Sequence, residues 1–466
     1  MRDTGVRRLL RSLSLTDFSV LSSSSMAPAY SIAAVMGLVV AAAGVGAPLA
    51  LIVSTIPIIF IAIGFSRLST DMPSAGGAYS WSRLAFGNRT GWFTAMVVII
   101  AYYFGTIATA LPAGVYTVYT ASLIVHGLTP SPLAIAIVAT LWIAFSTYFL
   151  VIGARPTARL SAVFLSFEII ALLIIAVLAF FHPFEGTRPQ GALPTGIALG
   201  NAGINGLIIG AVFSIWISAG WEISTYSSEE ARGPAGNPGA GALIGLIGTV
   251  TLVWICMVAF LRVGTVPGFT EHQQDALAYI AERLGGGWVA VLMTAAVLVS
   301  SAASLWTTML SLSRAVFAMG RDGLLPEVFA AVHPKYGSPW AAILAVGLPC
   351  MAVMLVSGIL TSARNTLSTV VGASSIFLGA TFIVTGLACA YLYGKRAERT
   401  HLLSGIVLPA VGALGTLGFL VYNVTKQQEP LLQGIIAGGL ILALIFAAVA
   451  GRWVARRPLT IAEEEA

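Results

Sequence analysis

The segment SVLSSSSMAPAYSIAAVMG, from Ser19 to Gly37, interrupts the first apolar stretch of the chain. Four consecutive serines, Ser22 to Ser25, stand shortly before Pro28. Serine hydroxyls hydrogen-bond to nearby backbone groups, and proline lacks the N–H that a helix interior needs. The segment therefore predicts a helix that unwinds at the serine run. The alternative is that the serines only pack against neighbouring helices, since small residues favour such contacts in membranes.

The composition of the chain is that of an integral membrane protein. Of its 466 residues, 58% are hydrophobic and 9% are charged, and the mean hydropathy is +0.92. Soluble domains carry about 25% charged residues. Apolar stretches of about 20 residues predict an all-α fold of about twelve transmembrane helices. We place these helices near residues 17–44, 47–68, 91–123, 132–152, 158–181, 204–228, 240–262, 287–320, 339–358, 367–393, 402–423 and 430–451.

The distribution of lysine and arginine predicts the orientation of these helices. The 24 basic residues fall on one predicted face of the membrane, except for Arg188, Arg262, Arg283, Arg364 and Lys426. Basic residues concentrate in cytoplasmic loops, and an even number of spans puts both termini on that side. The net charge of +6 then reflects this asymmetry and gives no reason to expect nucleic acid binding. The predicted location is the cytoplasmic membrane.

The sequence lacks the residue patterns of an enzyme, a metal site or a channel. Cys256, Cys350 and Cys389 all fall in apolar segments, where cysteine serves as a small core residue, and the five histidines show no ligand spacing. No GxxxxGK[ST] phosphate loop, ring of like charges or repeated filter segment is present. We expect no catalytic residues, no cofactor and no metal.

A second predicted helix is interrupted in a similar way. The segment SIWISAGWEISTYSSEE, from Ser214 to Glu230, places Ser-Ala-Gly at 218–220 just before Glu222. Irregular backbone within a membrane persists only where it is buried in protein or lines a cavity. Matched interruptions in two halves of a chain indicate a transporter binding site. The N–H groups that follow the first interruption are expected to face an anionic group.

Four further motifs carry a resemblance to a known family. In chain order they are DMPSAGGAYSWSRLAFG from Asp71, GARPTARLSAVFLSFE from Gly153, GWEISTYSSEEARGPAGNP from Gly220 and RAVFAMGRDGLLPEVFAAVHPKYGSPWAA from Arg314. Together they resemble, in order, the loops and helix entries of the amino acid–polyamine–organocation superfamily of transporters. The resemblance covers about residues 12–455 and implies a LeuT-type core of two inverted five-helix repeats.

The resemblance also implies a domain organisation. A single transmembrane domain contains a first repeat at 17–181, a second at 204–393 and two peripheral helices at 402–451, with helices 1 and 6 discontinuous. Cytoplasmic tails at 1–11 and 456–466 flank this domain.

The substrate site is implied to lie where the two discontinuous helices meet. A substrate carboxylate would contact helix 1, an amino group would contact helix 6, and Trp216 would cover the substrate side chain. Three lining residues are expected from helices 3, 8 and 10. The substrate-binding candidates are Ser23, Ser24, Ser25, Met26, Ala27, Tyr103, Trp216, Ile217, Ser218, Ala219, Gly220, Trp306 and Ser375.

Two carboxylates within the spans are candidates for ion coupling, because a charge in the bilayer is costly and is usually functional. The resemblance assigns the position of Glu222 to gating and proton-linked closure. Glu168 stands where many proton-coupled relatives carry a lysine. It therefore carries a proton, binds a cation, pairs with a basic residue or makes a structural contact, and the sequence leaves these alternatives open.

Other polar residues have predicted roles at the cytoplasmic side or in ion binding. Glu229 and Glu230 are candidates for a cytoplasmic gate that pairs with loop arginines such as Arg232. Asp17, after Thr16, is expected to cap the first helix. The weak sodium candidates, all in helix 8, are Ser300, Ser301 and Ser304.

The sequence thus predicts a secondary active transporter that moves amino acids by alternating access, with proton coupling. Sodium-coupled symport, exchange of amino acids or amines, and a non-transporting amino acid sensor remain alternatives. The expected partners are a small substrate, membrane lipid and a proton or sodium ion.

Overall fold

A computed structural model describes residues 9–124, 131–187, 202–273, 275–360, 363–396, 401–426 and 430–450. Residues 1–8 and 451–466, which hold most of the first predicted tail and all of the second, lie outside this range. Arg188 of the charge count also lies outside it, as do the side chains of Arg364 and Lys426. The described residues are almost entirely helical.

The first half of the chain forms helices up to residue 181. They are α1 (Leu15–Met26), α2 (Pro28–Ser31), α3 (Gly37–Ala43), α4 (Ala47–Asp71), α5 (Ala78–Phe86), α6 (Asn88–Ile124), α7 (Pro132–Ile152) and α8 (Ala154–Phe181). A π-helical segment, Ile32–Met36, joins α2 to α3.

The second half begins at residue 203. Its helices are α9 (Gly203–Ile217), α10 (Ile223–Tyr226), α11 (Asn237–Val263), α12 (Val266–Glu271), α13 (Ala276–Arg283), α14 (Trp288–Arg321), α15 (Trp340–Leu360), α16 (Ala363–Arg396), α17 (Leu408–Lys426) and α18 (Pro430–Ala450).

Within the described residues, 10 helical stretches are long and apolar enough to cross a membrane. One of them, Leu15–Asp71, is 57 residues long and includes both the break after α1 and the turn at Gly44–Gly46. The α9 helix is apolar but has only 15 residues. The protein is therefore a multi-pass helical membrane protein.

Close contacts between helix backbones position the first helix. A Cβ added at Gly241 of α11 would lie 2.4 Å from the Cβ of Phe18, and one added at Gly245 would lie 2.3 Å from the Cβ of Ser22. Glycine at these two positions lets α11 lie directly against α1. Such small-residue contacts are how helices approach each other in membranes.

The serine run is helical, contrary to the sequence prediction. The α1 helix continues through Ser22 to Ser25 and ends at Met26. The chain leaves helical geometry at Ala27 alone, because Pro28 restarts the helix at its first position, where the missing N–H costs nothing. The packing role that the sequence left as an alternative describes Ser22, which is buried between helices.

Candidate functional site

The first interruption is a single left-handed residue. Ala27 has φ 50° and ψ 70°, a conformation that costs a non-glycine residue about 1–2 kcal/mol. The Ala27 N–H still donates to the Ser23 carbonyl over 3.2 Å. Strain of this kind persists only where the surroundings hold it in place, and it concentrates at ligand-binding sites.

The second interruption is wider and lies beside the first. The α9 helix ends at Ile217, and regular helix resumes at Ile223. Gly220 has φ 109°, which suits glycine, and a Cβ there would lie 2.9 Å from the carbonyl carbon of Ser25. The backbones of the two interrupted helices therefore touch at this glycine.

Serine hydroxyls tie the two interruptions together. Ser22 Oγ donates to the Trp221 carbonyl over 2.9 Å and lies 2.6 Å from Ser224 Oγ, which in turn donates to the Phe18 carbonyl over 2.7 Å. Ser304 Oγ of α14 donates to the Ser25 carbonyl over 2.8 Å. The bonds to Trp221 and Ser25 satisfy carbonyl groups in or beside the two breaks, and the bond to Phe18 joins α10 to α1.

A cavity of about 30 Å³ lies at this junction. The residues that line the cavity are Ser25, Met26, Ala27, Tyr30, Tyr102, Gly105, Thr109, Trp216, Ala219, Gly220, Glu222, Ser304, Thr308, Ser374 and Leu378.

Glu222 is the acidic residue of this cavity. Its side chain is 1% exposed, accepts the Tyr102 hydroxyl at Oε1 over 2.8 Å, and accepts the Gly220 N–H at Oε2 over 2.9 Å. Among the described residues, no lysine, arginine or histidine pairs with it. A carboxylate buried in this way needs a proton or a cationic ligand to offset its charge.

About half of the predicted substrate residues meet at the cavity. Those that line it are Ser25, Met26, Ala27, Trp216, Ala219 and Gly220. Ser23, Ser24, Ile217 and Ser218 belong to the same two segments but do not line it. Ser24 Oγ instead donates to the Ser161 carbonyl, and Ser218 Oγ lies 2.9 Å from Thr55 Oγ1.

The three residues predicted on other helices do not line this cavity. Tyr103 points to α15, where its hydroxyl donates to the Ala345 carbonyl, and Tyr102 takes its place in the cavity. Ser375 gives way in the same manner to Ser374. Successive helical residues are rotated by about 100°, so an error of one residue selects another face.

Trp306 also lies away from the cavity. Its side chain is fully buried, packs against Phe164 with ring centroids 5.2 Å apart, and donates through Nε1 to Ser161 Oγ over 2.7 Å. Thr308 is the α14 residue that lines the cavity beside Ser304. Trp306 therefore holds α14 against α8.

Glu168 lies behind the first interruption and not in the cavity. Its side chain is fully buried in α8, and its Oε2 accepts the Ala29 N–H over 3.2 Å. The carboxylate therefore occupies the N-terminus of the helix that begins at Pro28, where the helix dipole favours a negative charge. The carboxyl group of Glu168 thus occupies the position where the sequence predicts an anionic group of the substrate.

Two of the three sodium candidates contact the break between α1 and α2, and the third bonds within its own helix. Ser300 Oγ accepts the Tyr30 N–H over 3.2 Å, and Ser304 Oγ donates to the Ser25 carbonyl. Ser301 Oγ donates to Val297 within its own helix. Ser300 and Ser304 thus hold the two sides of the break in α1–α2.

Two buried ion pairs join α14 to the segment that follows α10. Arg314 donates to Glu230 through Nε over 2.8 Å and through Nη2 over 3.2 Å. Arg321 makes two bonds of 2.8 Å to Glu229. The two glutamates therefore pair with arginines of α14, and Arg232 is not among their ion-pair partners in the described residues.

A third ion pair, between Arg83 and Asp322, and the N-terminal segment lie at the same end of the structure. Arg83 Nη1 lies 3.3 Å from Asp322 Oδ2, and burial raises the pKa of Asp322, although Arg321 and Arg83 oppose that rise. The Ser12 and Leu13 N–H groups both donate to the Glu230 carbonyl.

The predicted cap of the first helix is confirmed. Ser14 is the N-cap residue, and its side chain accepts the Asp17 N–H. The Asp17 carboxylate accepts the Ser14 N–H over 2.8 Å, which completes a capping box.

The sequence of the chain matches a known protein family and several known proteins. The amino acid permease family matches residues 13–454. The low-affinity putrescine importer PlaP of Escherichia coli is 24% identical over 419 residues, which is 86% of this chain and 84% of PlaP.

Two other relatives match less of the chain. The branched-chain amino acid permease BcaP of Bacillus subtilis is 22% identical, over 64% of this chain and 65% of its own length. The vacuolar cationic amino acid transporter 4 of Arabidopsis thaliana is 25% identical, over 62% of this chain and 49% of its own length. The chain thus spans between half and two-thirds of the length of these two relatives.

The family match covers nearly the whole chain, including both interrupted helices and the buried arginines of α14. The resemblance found in the sequence motifs is thereby confirmed, and the chain belongs to the amino acid permease family.

Proposed function

We propose that the protein is a secondary transporter of amino acids and related amines that works by alternating access. The observation that carries this proposal is the meeting of two interrupted helices at a cavity that contains Glu222. Broken membrane helices at one cavity are the usual construction of a transporter site. Relatives named as an amino acid permease and as a putrescine importer support an amino group as the shared feature of the substrates.

The proposed architecture has twelve spans in two inverted repeats. At 1.5 Å per residue, the 57 residues of Leu15–Asp71 measure about 85 Å, nearly three times the hydrocarbon thickness of about 30 Å. This length is too great for a single crossing, and the turn at Gly44–Gly46 divides the segment into two crossings. The interrupted α9–α10 segment supplies the twelfth span. The repeats are 17–181 and 204–393, and 402–451 is peripheral.

The proposed location is the cytoplasmic membrane, with both termini in the cytoplasm. Arg83, Arg314 and Arg321 lie at one end of the structure, together with the N-terminal residues Ser12 and Leu13. Basic residues mark the cytoplasmic end. In this orientation the ion pairs of Glu229 and Glu230 form the cytoplasmic gate, and they are closed.

The proposed coupling ion is the proton, carried by Glu222 with Glu168 as the second candidate. Both side chains are buried without a basic partner among the described residues, so that each carboxylate is more stable with a bound cation or proton. Sodium is the second candidate ion. Ser300 Oγ already accepts the Tyr30 N–H, and the Ser25 carbonyl already accepts the Ser304 hydroxyl, so one lone pair on each of these two oxygens is not available to a metal ion.

The test is uptake by purified protein in liposomes. Labelled leucine, lysine and cadaverine are supplied under an inward proton gradient without sodium, then with a sodium gradient, then with preloaded unlabelled solute. The proposal predicts uptake under the proton gradient alone and its loss in Glu222→Gln. Glu271→Gln, which removes an exposed carboxylate of α12, is the matched control.

Each other result identifies a different mechanism. Uptake that requires sodium would assign the coupling to the broken helix and α14. Uptake that requires preloaded solute would identify an exchanger. Saturable binding without flux in any condition would make the protein a sensor, and neither binding nor flux by folded protein would overturn the proposal.

A further inference from the structure

The backbone donors at the first interruption are all in use within the protein. The Ala27 N–H donates to Ser23, and Pro28 has no N–H. The next two N–H groups donate to side chains that do not line the cavity, Ala29 to Glu168 and Tyr30 to Ser300. An N–H group already bonded to a buried carboxylate is not available to a second anion. The cavity therefore has no free backbone donor from this helix.

Most side-chain donors of the cavity are also committed. Tyr30 donates to the Ala108 carbonyl over 2.9 Å, and Thr109 donates to the Gly105 carbonyl over 3.0 Å. Ser374 donates to the Ala101 carbonyl over 2.8 Å. The Ser304 hydroxyl donates to Ser25, as described above. These bonds point the hydroxyl protons at backbone carbonyls.

Three neutral side-chain donors of the described lining residues make no hydrogen bond to another described residue. They are the hydroxyls of Ser25 and Thr308 and the indole N–H of Trp216. No lysine, arginine or histidine lines the cavity in the described part of the chain. A bound carboxylate would therefore meet no positive charge and would be repelled by Glu222.

The same cavity is well suited to a cation. Glu222 supplies a carboxylate without a basic partner, and the rings of Tyr30, Tyr102 and Trp216 form part of the wall. Aromatic faces attract ammonium groups, most strongly when water is excluded. The charge that a buried carboxylate needs can thus come from the ligand itself.

We infer that the ligand of this cavity is a cationic amine that has no carboxylate, held by Glu222. Glu168 takes the place at the broken helix that the carboxylate of an amino acid would otherwise occupy. This inference rests on the proposed transport function and narrows its substrate class. It leaves Glu168 as the proton carrier, because the Glu222 carboxylate does not hold the amine and the coupling proton together. It also replaces the sequence-based expectation that a substrate carboxylate contacts helix 1.

The test compares amino acids with the amines that remain after loss of the carboxylate. Binding to the purified full-length protein is measured at pH 7 by tryptophan fluorescence and by isothermal titration calorimetry. The pairs are leucine with isoamylamine, phenylalanine with phenethylamine, and lysine with cadaverine. Leucinamide is included because it keeps the size of leucine but lacks its negative charge.

The expected result is that each amine binds at least about tenfold more tightly than its parent amino acid, since an unpaired buried charge is penalised by that much or more. Leucinamide should bind like isoamylamine and unlike leucine. Glu222→Gln should abolish this preference, while Glu271→Gln should leave it unchanged. Size-exclusion and thermal unfolding profiles identify any variant that fails to fold.

The opposite results are distinct from one another. Equal or tighter binding of the amino acids overturns the inference but leaves the proposed transport function standing. Tight binding of isoamylamine with weak binding of leucinamide also overturns it, because size and not charge then sets the preference. Failure of folded wild-type protein to bind or transport any of these solutes overturns the proposed function as well.

Discussion

The buried pair between Arg314 and Glu230 provides a quantitative test of the closed gate. The Arg314 side chain is 0% exposed and that of Glu230 is 4% exposed. Arg314→Gln would leave the Glu230 carboxylate buried without its cation, which costs about 3–5 kcal/mol. In an open, hydrated gate, removal of the same arginine would destabilise the protein by at most about 1 kcal/mol. The difference favours the open gate by about thirtyfold to a thousandfold, at 1.4 kcal/mol for each factor of ten.

The assay measures how fast a membrane-impermeant maleimide reaches the cavity from the gate side. Thr308→Cys, which lines the cavity, is introduced after the three native buried cysteines have been replaced. When opening is rapid, the labelling rate follows the population of the open state. Arg314→Gln should therefore raise the rate by at least about tenfold. The cysteine-free protein without Thr308→Cys reports background labelling.

Two controls separate the gate from a general loss of stability. Arg283→Gln removes an exposed pair with Glu185, of which the side chains are 32% and 44% exposed, and should change the rate by less than about twofold. Adding Glu230→Gln to Arg314→Gln removes the unpaired charge and should restore slow labelling. The reasoning is refuted if Arg314→Gln labels as slowly as the native gate, or if the double variant labels as fast as the single one.

Two further predictions concern helix packing and the cavity carboxylate. Gly245→Ala places a Cβ 2.3 Å from the Cβ of Ser22 and should lower the free energy of unfolding by about 1–3 kcal/mol, whereas Gly248→Ala on the same helix has nothing within 4 Å and should be neutral or stabilising. Thermal unfolding in detergent measures both, and equal melting temperatures would contradict the packing argument. Tyr102→Phe removes the hydroxyl that donates to the cavity carboxylate and should weaken amine binding by about tenfold. Tyr103→Phe, whose hydroxyl faces another helix, should bind normally in the same titration, and an equal loss in both variants would show that the effect is only structural.

The amino-acid sequence alone was sufficient for the class of protein and for local features. Hydropathy predicts membrane helices because lipid requires apolar surface and internally bonded backbone. Ser14 and Asp17 form their capping box through bonds between residues three apart, so local spacing is enough to predict it. The break after Ile217 is similarly local, because Gly220 permits a conformation that other residues avoid. The family motifs, too, are contiguous runs of residues.

The tertiary structure alone decided which residues meet. The choice of Tyr102 over Tyr103, of Ser374 over Ser375 and of Arg314 over Arg232 depends on how each helix is rotated about its axis, and hydropathy does not specify that rotation when most faces are apolar. Most consequential is Glu168, since its contact with Ala29 joins residues 139 positions apart in the chain. Only helix packing reveals that this carboxylate occupies the broken helix, and so leaves the cavity to a cation.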